Sequence, residues 1–310
     1  MIWIRRVILS LAIASLPLLT GCSASSMPSQ GFHPVTPVRL YVSNGVTTNG
    51  TTSFYNLPIT PLSPVAGSLT TPNVAFSLCV DGSGRLWATQ DSNSATGILA
   101  YAQPIASGAS PSFSINVGAQ SVGCVFDGSG NLYVSLSNNK VAVIPAPVTS
   151  ASVPTSFITS GVSFPGDVTV DSSGDVFVCN SGPITEYSPL AGGNTLLHTF
   201  GGVASLSPAG CAIGPDGNLY VANGTTLGEI DVYKAPFSNS SPVDHSIAPP
   251  TAVNIWDIKF DIQNNMYVAG DSTTGSDVWV FAPPYTGATS ALLLVSTSSG
   301  NEARGLALTN

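Results

Sequence analysis

The chain has 310 residues, of which 43% are hydrophobic and only 8% charged, a balance that excludes intrinsic disorder. Sixteen acidic residues against eight basic ones give a net charge of −8. Binding to nucleic acid rests on Lys and Arg neutralising phosphates. Here Arg39, Arg85, Lys140, Lys234, Lys259 and Arg304 are scattered singly, so nucleic acid is excluded as a partner.

The N-terminus comes first in chain order. Arg5 and Arg6 precede an apolar run of 13 residues, Val7 to Leu19, interrupted by Pro17. A membrane-spanning helix needs roughly 20 apolar residues, and this shorter run fits a signal peptide over residues 1–21. It ends in Leu19-Thr20-Gly21-Cys22, which resembles the lipobox of bacterial lipoproteins. That resemblance implies cleavage before Cys22 and lipidation of its thiol. Ser23 in place of Asp resembles the sorting pattern of the Gram-negative outer membrane. Acyl chains anchor stably because each buried methylene contributes about 0.8 kcal/mol. Residues 22–37 then form a Ser/Pro-rich tether without apolar periodicity, and His33 lies within it. Loss of Arg5 and Arg6 with the leader takes the net charge to −10.

From residue 38 onward one short phrase recurs six times. Its copies are Leu40-Tyr41-Val42, Leu86-Trp87-Ala88, Leu132-Tyr133-Val134, Val176-Phe177-Val178, Leu219-Tyr220-Val221 and Met266-Tyr267-Val268. From Tyr41 to Tyr267 the steps are 46, 46, 44, 43 and 47 residues. A fixed period of this size means one supersecondary unit copied along the chain. Apolar residues alternate on both sides of an Asp-centred turn, as in Gly123-CVFDGSGNLYVSL, which predicts two antiparallel strands. Asp81, Asp127 and Asp171 open these turns, and Gly84, Gly130, Gly174 and Gly217 supply the left-handed residue.

A third strand is predicted around Tyr55, Tyr101, Ile144, Tyr187, Tyr233 and Phe281. Pro58, Pro104, Pro147, Pro189, Pro236 and Pro284 mark where the chain leaves it, because proline cannot donate to a central ladder. A weaker fourth run, such as Ser112 to Ile115 or Ala291 to Val295, completes a four-stranded unit. The expected fold is all-β, a six-bladed β-propeller of four-stranded antiparallel blades. The first unit lacks the strand that precedes its phrase, and the chain ends on residues 305–309, Gly-Leu-Ala-Leu-Thr, which is that strand. One blade is therefore expected to draw on both termini, closing the ring and removing its open edges. The pattern resembles the NHL-repeat β-propellers, over residues 38–310.

Cys79, Cys124, Cys179 and Cys211 form an even set in an exported chain. Cys124 and Cys211 lie three positions before the turn Asp or its equivalent, whereas Cys79 lies two before and faces the other way. Cys179 shares the face of Cys79. If each blade packs its first face on the preceding blade, Cys79 meets Cys124 and Cys179 meets Cys211. Four small buried thiols are the alternative, since free Cys is among the most buried residue types.

The NHL resemblance also implies where enzymes of this kind would carry their metal. Gluconolactonase-like relatives place an Asn and an Asp ligand five positions before the turn Asp. The equivalent positions here are Phe76, Val122, Gly166, Ala209, Trp256 and Arg304, with no carboxylate or amide among them. Asp167 and Asp257 lie one position later. The amidating lyase of the same fold holds zinc on histidines. In this chain His198 and His245 stand alone in outer strands, without metal-ligand spacing. No catalytic, metal-ligating or cofactor-binding residue is assigned, and no cofactor is expected.

A polar ring three residues after each aromatic offers a candidate rim: Asn44, Gln90, Asn180 and Asn223, with Asp91 and Asp271 adjacent. Such residues also end strands through local backbone bonds. The expected function is a non-catalytic, monomeric binding module of the cell envelope, held to the membrane by Cys22, with a protein, glycan or small-ligand partner. The alternative is a gluconolactonase-like hydrolase or lyase with a site in the channel. Convergent titratable groups at the channel mouth would favour the alternative.

Overall fold

The computed structural model describes residues 38–44, 50–60, 63–90, 96–201, 210–223, 228–273, 275–285, 293–297 and 302–309. The expected leader (1–21), the expected tether (22–37) with Cys22 and His33, and the candidate rim residue Asp91 lie outside them. The described chain is a six-bladed β-propeller of four-stranded antiparallel sheets.

Blade 1 takes β1 (Arg39–Asn44), β2 (Gly50–Asn56) and β3 (Gly67–Thr71) from one terminus. Its fourth strand, β24 (Ala303–Leu308), comes from the other and pairs antiparallel with β1. Blade 2 is β4 (Leu78–Val80), β5 (Leu86–Ala88), β6 (Gly97–Tyr101) and β7 (Phe113–Asn116). Blade 3 is β8 (Ser121–Phe126), β9 (Leu132–Leu136), β10 (Lys140–Ile144) and β11 (Ser156–Ile158). Blade 4 is β12 (Pro165–Val170), β13 (Val176–Asn180), β14 (Ile184–Tyr187) and β15 (Leu196–Phe200). Blade 5 is β16 (Cys211–Ile213), β17 (Leu219–Asn223), β18 (Glu229–Tyr233) and β19 (His245–Ile247). Blade 6 is β20 (Ala252–Phe260), β21 (Met266–Ser272), β22 (Gly275–Phe281) and β23 (Leu293–Thr297).

The closing strand starts two residues earlier than its sequence pattern suggests. Its pairing carries past a bulge to Asn44–Ala303, which the alternation of residues 305–309 does not reveal. Thr309 then extends the seam, its N–H donating to the Arg39 carbonyl while its hydroxyl accepts the Arg39 N–H.

In blades 2, 3 and 6 the recurring Asp and the recurring aromatic are one device. Asp127 Oδ1 accepts the N–H groups of Ser129 and Asn131 at 2.9 Å each, around Gly130 at φ 84°. Its other oxygen holds the polar end of the aromatic six residues on. Trp87 Nε1 donates to Asp81 at 3.1 Å, and the Tyr267 hydroxyl donates to Asp261 at 3.0 Å. Those aromatic rings can be fully buried because their one polar atom has a partner. Blade 5 departs from the pattern: Gly214 stands where the Asp would, and Asp216 takes over the Tyr220 hydroxyl at 2.9 Å. The prolines end the third strand in each blade, and the peptide bond before five of the six is cis.

The six buried apolar clusters each lie between two neighbouring blades. Tyr41, Phe54 and Leu69 of blade 1 pack on Leu78, Leu86 and Tyr101 of blade 2, and the scheme repeats round the ring. A fully buried side chain of this size contributes on the order of 2–3 kcal/mol. Stability is thus distributed over six junctions and held by nearest neighbours.

Candidate functional site

The innermost strands, β24, β4, β8, β12, β16 and β20, surround the central channel, and their entries are unusually close. A Cβ at Gly123 would lie 2.7 Å from the Asp167 Cα, and one at Gly210 would lie 2.6 Å from the Asp257 Cα. Only glycine permits these approaches. They explain why Gly stands at this point in alternate blades, facing Asp167 and Asp257 of the next blade.

Each junction is stitched at this inner edge, by different chemistry. In blade 1 Ser43 Oγ accepts the Gly305 N–H at 2.7 Å and donates to the Ala75 carbonyl at 2.7 Å. In blade 3 Ser135 Oγ accepts the Gly123 N–H at 2.7 Å and donates to the Gly166 carbonyl of blade 4 at 3.3 Å. Blades 4 and 6 have Cys179 and Ala269 at the equivalent position, facing Asp167 and Asp257 on the inner strand. The carboxylates do the stitching there. Asp167 Oδ2 accepts the Cys211 N–H of blade 5 at 3.3 Å, and Asp257 Oδ2 accepts the Leu306 N–H of blade 1 at 2.7 Å. Blades 5 and 6 meet through the Gly210 N–H and the Trp256 carbonyl at 2.7 Å.

Disulfides join Cys79 to Cys124 across blades 2 and 3, and Cys179 to Cys211 across blades 4 and 5. Their Cα separations are 5.8 and 6.5 Å, inside the span a disulfide bridges.

Burying two carboxylates requires a counterion. Lys259 supplies it, with Nζ 2.7 Å from Asp257 Oδ1 and 3.5 Å from Asp167 Oδ2. Burial pushes the Asp257 carboxyl up to about 7, an effect that Lys259 opposes and Asp167 adds to. Burial likewise raises Asp167, against the pull of Lys259. For Lys259 burial alone would favour the neutral amine, but the two carboxylates outweigh it and hold the ammonium above its ordinary value. The ion triad forms a charged waist in the channel. On one side lies a cavity of about 470 Å³ bordered by both aspartates, and on the other one of about 180 Å³ bordered by Lys259.

Four of the inner strands are irregular where they enter the larger cavity. Pairing slips between Ser121 and Cys124, between Pro165 and Asp167, and between Ile255 and Asp257. Opposite Val42 to Asn44 it slips again within β24. Bulges re-aim side chains. Here the skipped residues include Val122, Gly166, Trp256 and Arg304, all of which border the cavity together with Phe76. These are the positions at which the expected alternative, a gluconolactonase-like site, would need metal ligands. Ala209, the sixth, lies outside the described residues. Instead of oxygen donors they present two aromatic rings, one cation, a valine and a glycine. The Arg304 guanidinium sits 4.4 Å from the Trp256 ring centre and 5.2 Å from that of Phe76, within cation–π range. Its Nε donates to Glu302 at 2.6 Å.

The candidate rim residues are turned to positioning. Asp271 accepts the Trp256 Nε1–H at 2.9 Å and so fixes the indole. Asn180 Oδ1 accepts the Ser163 N–H at 2.9 Å, beside Phe164. Asn44 donates to Ser53 and Asn223 to Asp231, while Gln90 donates to the Gly97 carbonyl and accepts from Asn73. His198 pairs with Glu186 and His245 with Asp244, each at 2.8 Å, and neither borders the cavity. Among the described residues no three His, Cys, Asp or Glu side chains converge as a metal ion would require.

Phe164 escapes sequence reasoning altogether. It borders the cavity, is 64% exposed, and has φ 45°, a left-handed conformation uncommon for a bulky residue. Its N–H donates to Asn139 Oδ1 at 2.7 Å and its carbonyl accepts the Ser181 N–H at 3.0 Å.

No family model and no curated protein matches this chain. Solved structures do. A Bacteroides caccae protein of unknown function superposes with a TM-score of 0.63 at 10% identity, covering 88% of this chain and 99% of its own. A functionally unknown protein from Desulfotomaculum acetoxidans gives 0.55 at 17% identity, covering 87% and 89%. The WD40 β-propeller domain of Doa1 gives 0.52 at 16% identity, covering 81% and 94%. At these identities the likeness concerns the fold.

Proposed function

We propose that the protein is a non-catalytic binding module of the cell envelope, an NHL-like propeller tethered through a lipidated Cys22 to the outer membrane. It acts as a monomer and holds a small ligand at the bulged mouth of its channel. The observation that carries this reading is the mouth itself. All six blades contribute to one concave cavity, from four inner strands and from residues just ahead of β4 and β16; its walls are aromatic, and its floor is closed by an ion triad. Concave, mainly apolar sites with a few placed polar groups are where proteins take small molecules.

A screen of small molecules by thermal shift on mature protein tests it, with Val122→Trp as a variant that fills the mouth. Compounds that stabilise the wild type and lose their effect in V122W support the reading. Compounds that stabilise both equally count against it. Mass spectrometry of the mature N-terminus tests the anchor, the expected species being diacylglyceryl-modified Cys22.

Asp257 supports a second reading, a hydrolase or lyase, because a carboxyl raised to about 7 is poised for proton transfer. The binding reading ranks above it on geometry. Asp257 is 1% exposed, and its oxygens already accept from Ile258 N, Lys259 Nζ and Leu306 N. Turnover of lactones or esters that Asp257→Asn abolishes, while the variant keeps its fold, would reverse that ranking.

A further inference from the structure

We infer that the occupant of the channel mouth is an uncharged saccharide, with Phe164 as the ring that stacks on it; this rests on the binding reading above. Three independent observations converge.

The first concerns charge. Every ionic side chain named at the cavity has a partner: Arg304 is paired with Glu302, and Asp167 and Asp257 with Lys259. A charged ligand would lose hydration here without meeting an unpaired opposite charge. An anion would face the two floor carboxylates, and a cation would pass Arg304.

The second concerns hydrogen bonding. Two cavity-lining residues carry buried polar atoms without a protein partner, Ser77 Oγ and Asp167 Oδ1. Their residues are only 4% and 2% exposed. Buried polar atoms are ordinarily satisfied, so such exceptions call for a partner. Asp167 Oδ1 asks for a donor, and the Ser77 hydroxyl can donate or accept. A ligand bearing several hydroxyls meets both demands, because each hydroxyl is donor and acceptor at once. A flat heteroaromatic base would stack as well but brings few hydroxyls to the floor.

The third concerns shape. Phe76, Trp256 and the exposed Phe164 offer apolar ring surface to the C–H face of a sugar ring. Phe164 is displayed in a left-handed conformation that Asn139 enforces from outside the strand. Strained, exposed residues of this kind cluster at ligand sites.

The test is calorimetric titration of the full mature protein with glucose, cellobiose, maltose and N,N′-diacetylchitobiose. Glucuronate and glucosamine serve as charged counterparts, and adenine as a flat uncharged control. The expected result is binding of at least one neutral saccharide, with the charged counterparts at least about fivefold weaker. Phe164→Asn should weaken that binding about three- to tenfold, the loss expected of one aromatic contact. Its melting temperature should stay level or rise, because Asn tolerates the left-handed backbone. Ser77→Ala should weaken binding too. A charged counterpart or adenine binding more tightly overturns the proposal, as does unchanged affinity in F164N. If a non-saccharide binds and V122W abolishes it, the mouth remains a binding site and only the saccharide fails. Saccharide binding that survives V122W removes the mouth from consideration, and no binding by any probe sinks both.

Discussion

The hydroxyl-stitched and carboxylate-stitched junctions of this ring perform the same task with opposite consequences. Ser43 and Ser135 each satisfy an N–H of their own inner strand and reach a carbonyl in the next blade. Asp167 and Asp257 satisfy an N–H in the next blade directly. A hydroxyl does this without net charge and needs nothing further. A buried carboxylate must be neutralised, and so it draws Lys259 into the channel. The charged waist sits in the two blades that carry Asp167 and Asp257 on the inner strand: Cys179 and Ala269 stand there where Ser or Thr stands in blades 1 to 3, whereas blade 5, with Ala222 at that position, has Gly210 on its inner side and bonds through its backbone. Interchangeable local bonds can thus leave some junctions of a symmetric scaffold uncharged and give others a titratable site.

The largest test removes both kinds of stitch together. β24 is bonded by Ser43 at Gly305 and by Asp257 at Leu306, so it is the strand on which the two chemistries meet. Deleting residues 303–310 opens blade 1 and exposes the edge of β1. We expect loss of cooperative thermal unfolding, with aggregation, by calorimetry and light scattering. A truncated protein that keeps its melting temperature would refute closure as the source of stability.

Next in size is a contrast between the two kinds of junction. Lys259→Met leaves two carboxylates unpaired and should cost about 3–5 kcal/mol in denaturant unfolding. Combining it with Asp167→Asn and Asp257→Asn removes the uncompensated charge and should restore part of the loss. Ser135→Ala leaves the Gly123 N–H without its acceptor and should cost about 2 kcal/mol. Equal costs for K259M and S135A would erase the distinction between the two kinds of junction.

The fold was legible from the phrase because the period, the turn Asp and the missing first strand are all local signals. Trp87 and Tyr267 mark blades through a bond to an Asp six residues earlier, and that spacing is visible in one dimension. The site was legible only in outline. Phe76, Trp256 and Arg304 could be located as channel positions by counting back from the turn. Their stacking depends on bulges, and a bulge is set by the partner strand, which lies about 260 residues away for Arg304. Lys259 alternates like any strand residue, and only the approach of blade 4 reveals it as a counterion. Phe164 gives no signal, because its left-handed backbone is imposed by Asn139 across a junction.

The smallest expected effect separates the two kinds of junction by pH, since hydroxyls do not titrate and carboxylates do. Asp257 is raised from an ordinary value near 4 to about 7 in the folded protein. A carboxyl raised on folding contributes stability that is fully present below the unfolded value and is lost as pH rises through the folded one. Stability should therefore decline between about pH 4 and pH 7 and then level off. Asp167, Glu186 and Asp175 are also raised, chiefly by burial, and slope the same way. Asp81 runs opposite: burial would raise it, but bonds from Ser83, Trp87 and Arg85 lower it, so its contribution is lost only as pH falls. Lys259, raised above its ordinary value, keeps its contribution throughout this window and loses it only at higher pH. The measurement is thus the difference between wild type and Asp257→Asn in denaturant unfolding at pH 4 and pH 7. We expect the variant's decline to be shallower by about 1 kcal/mol, because the proton is shared across the triad with Asp167 and Lys259. Ser135→Ala should shift both points equally. An unaltered slope in the Asp257 variant would mean that the carboxylate junctions are as inert to protons as the hydroxyl ones, and the comparison would then rest on charge pairing alone.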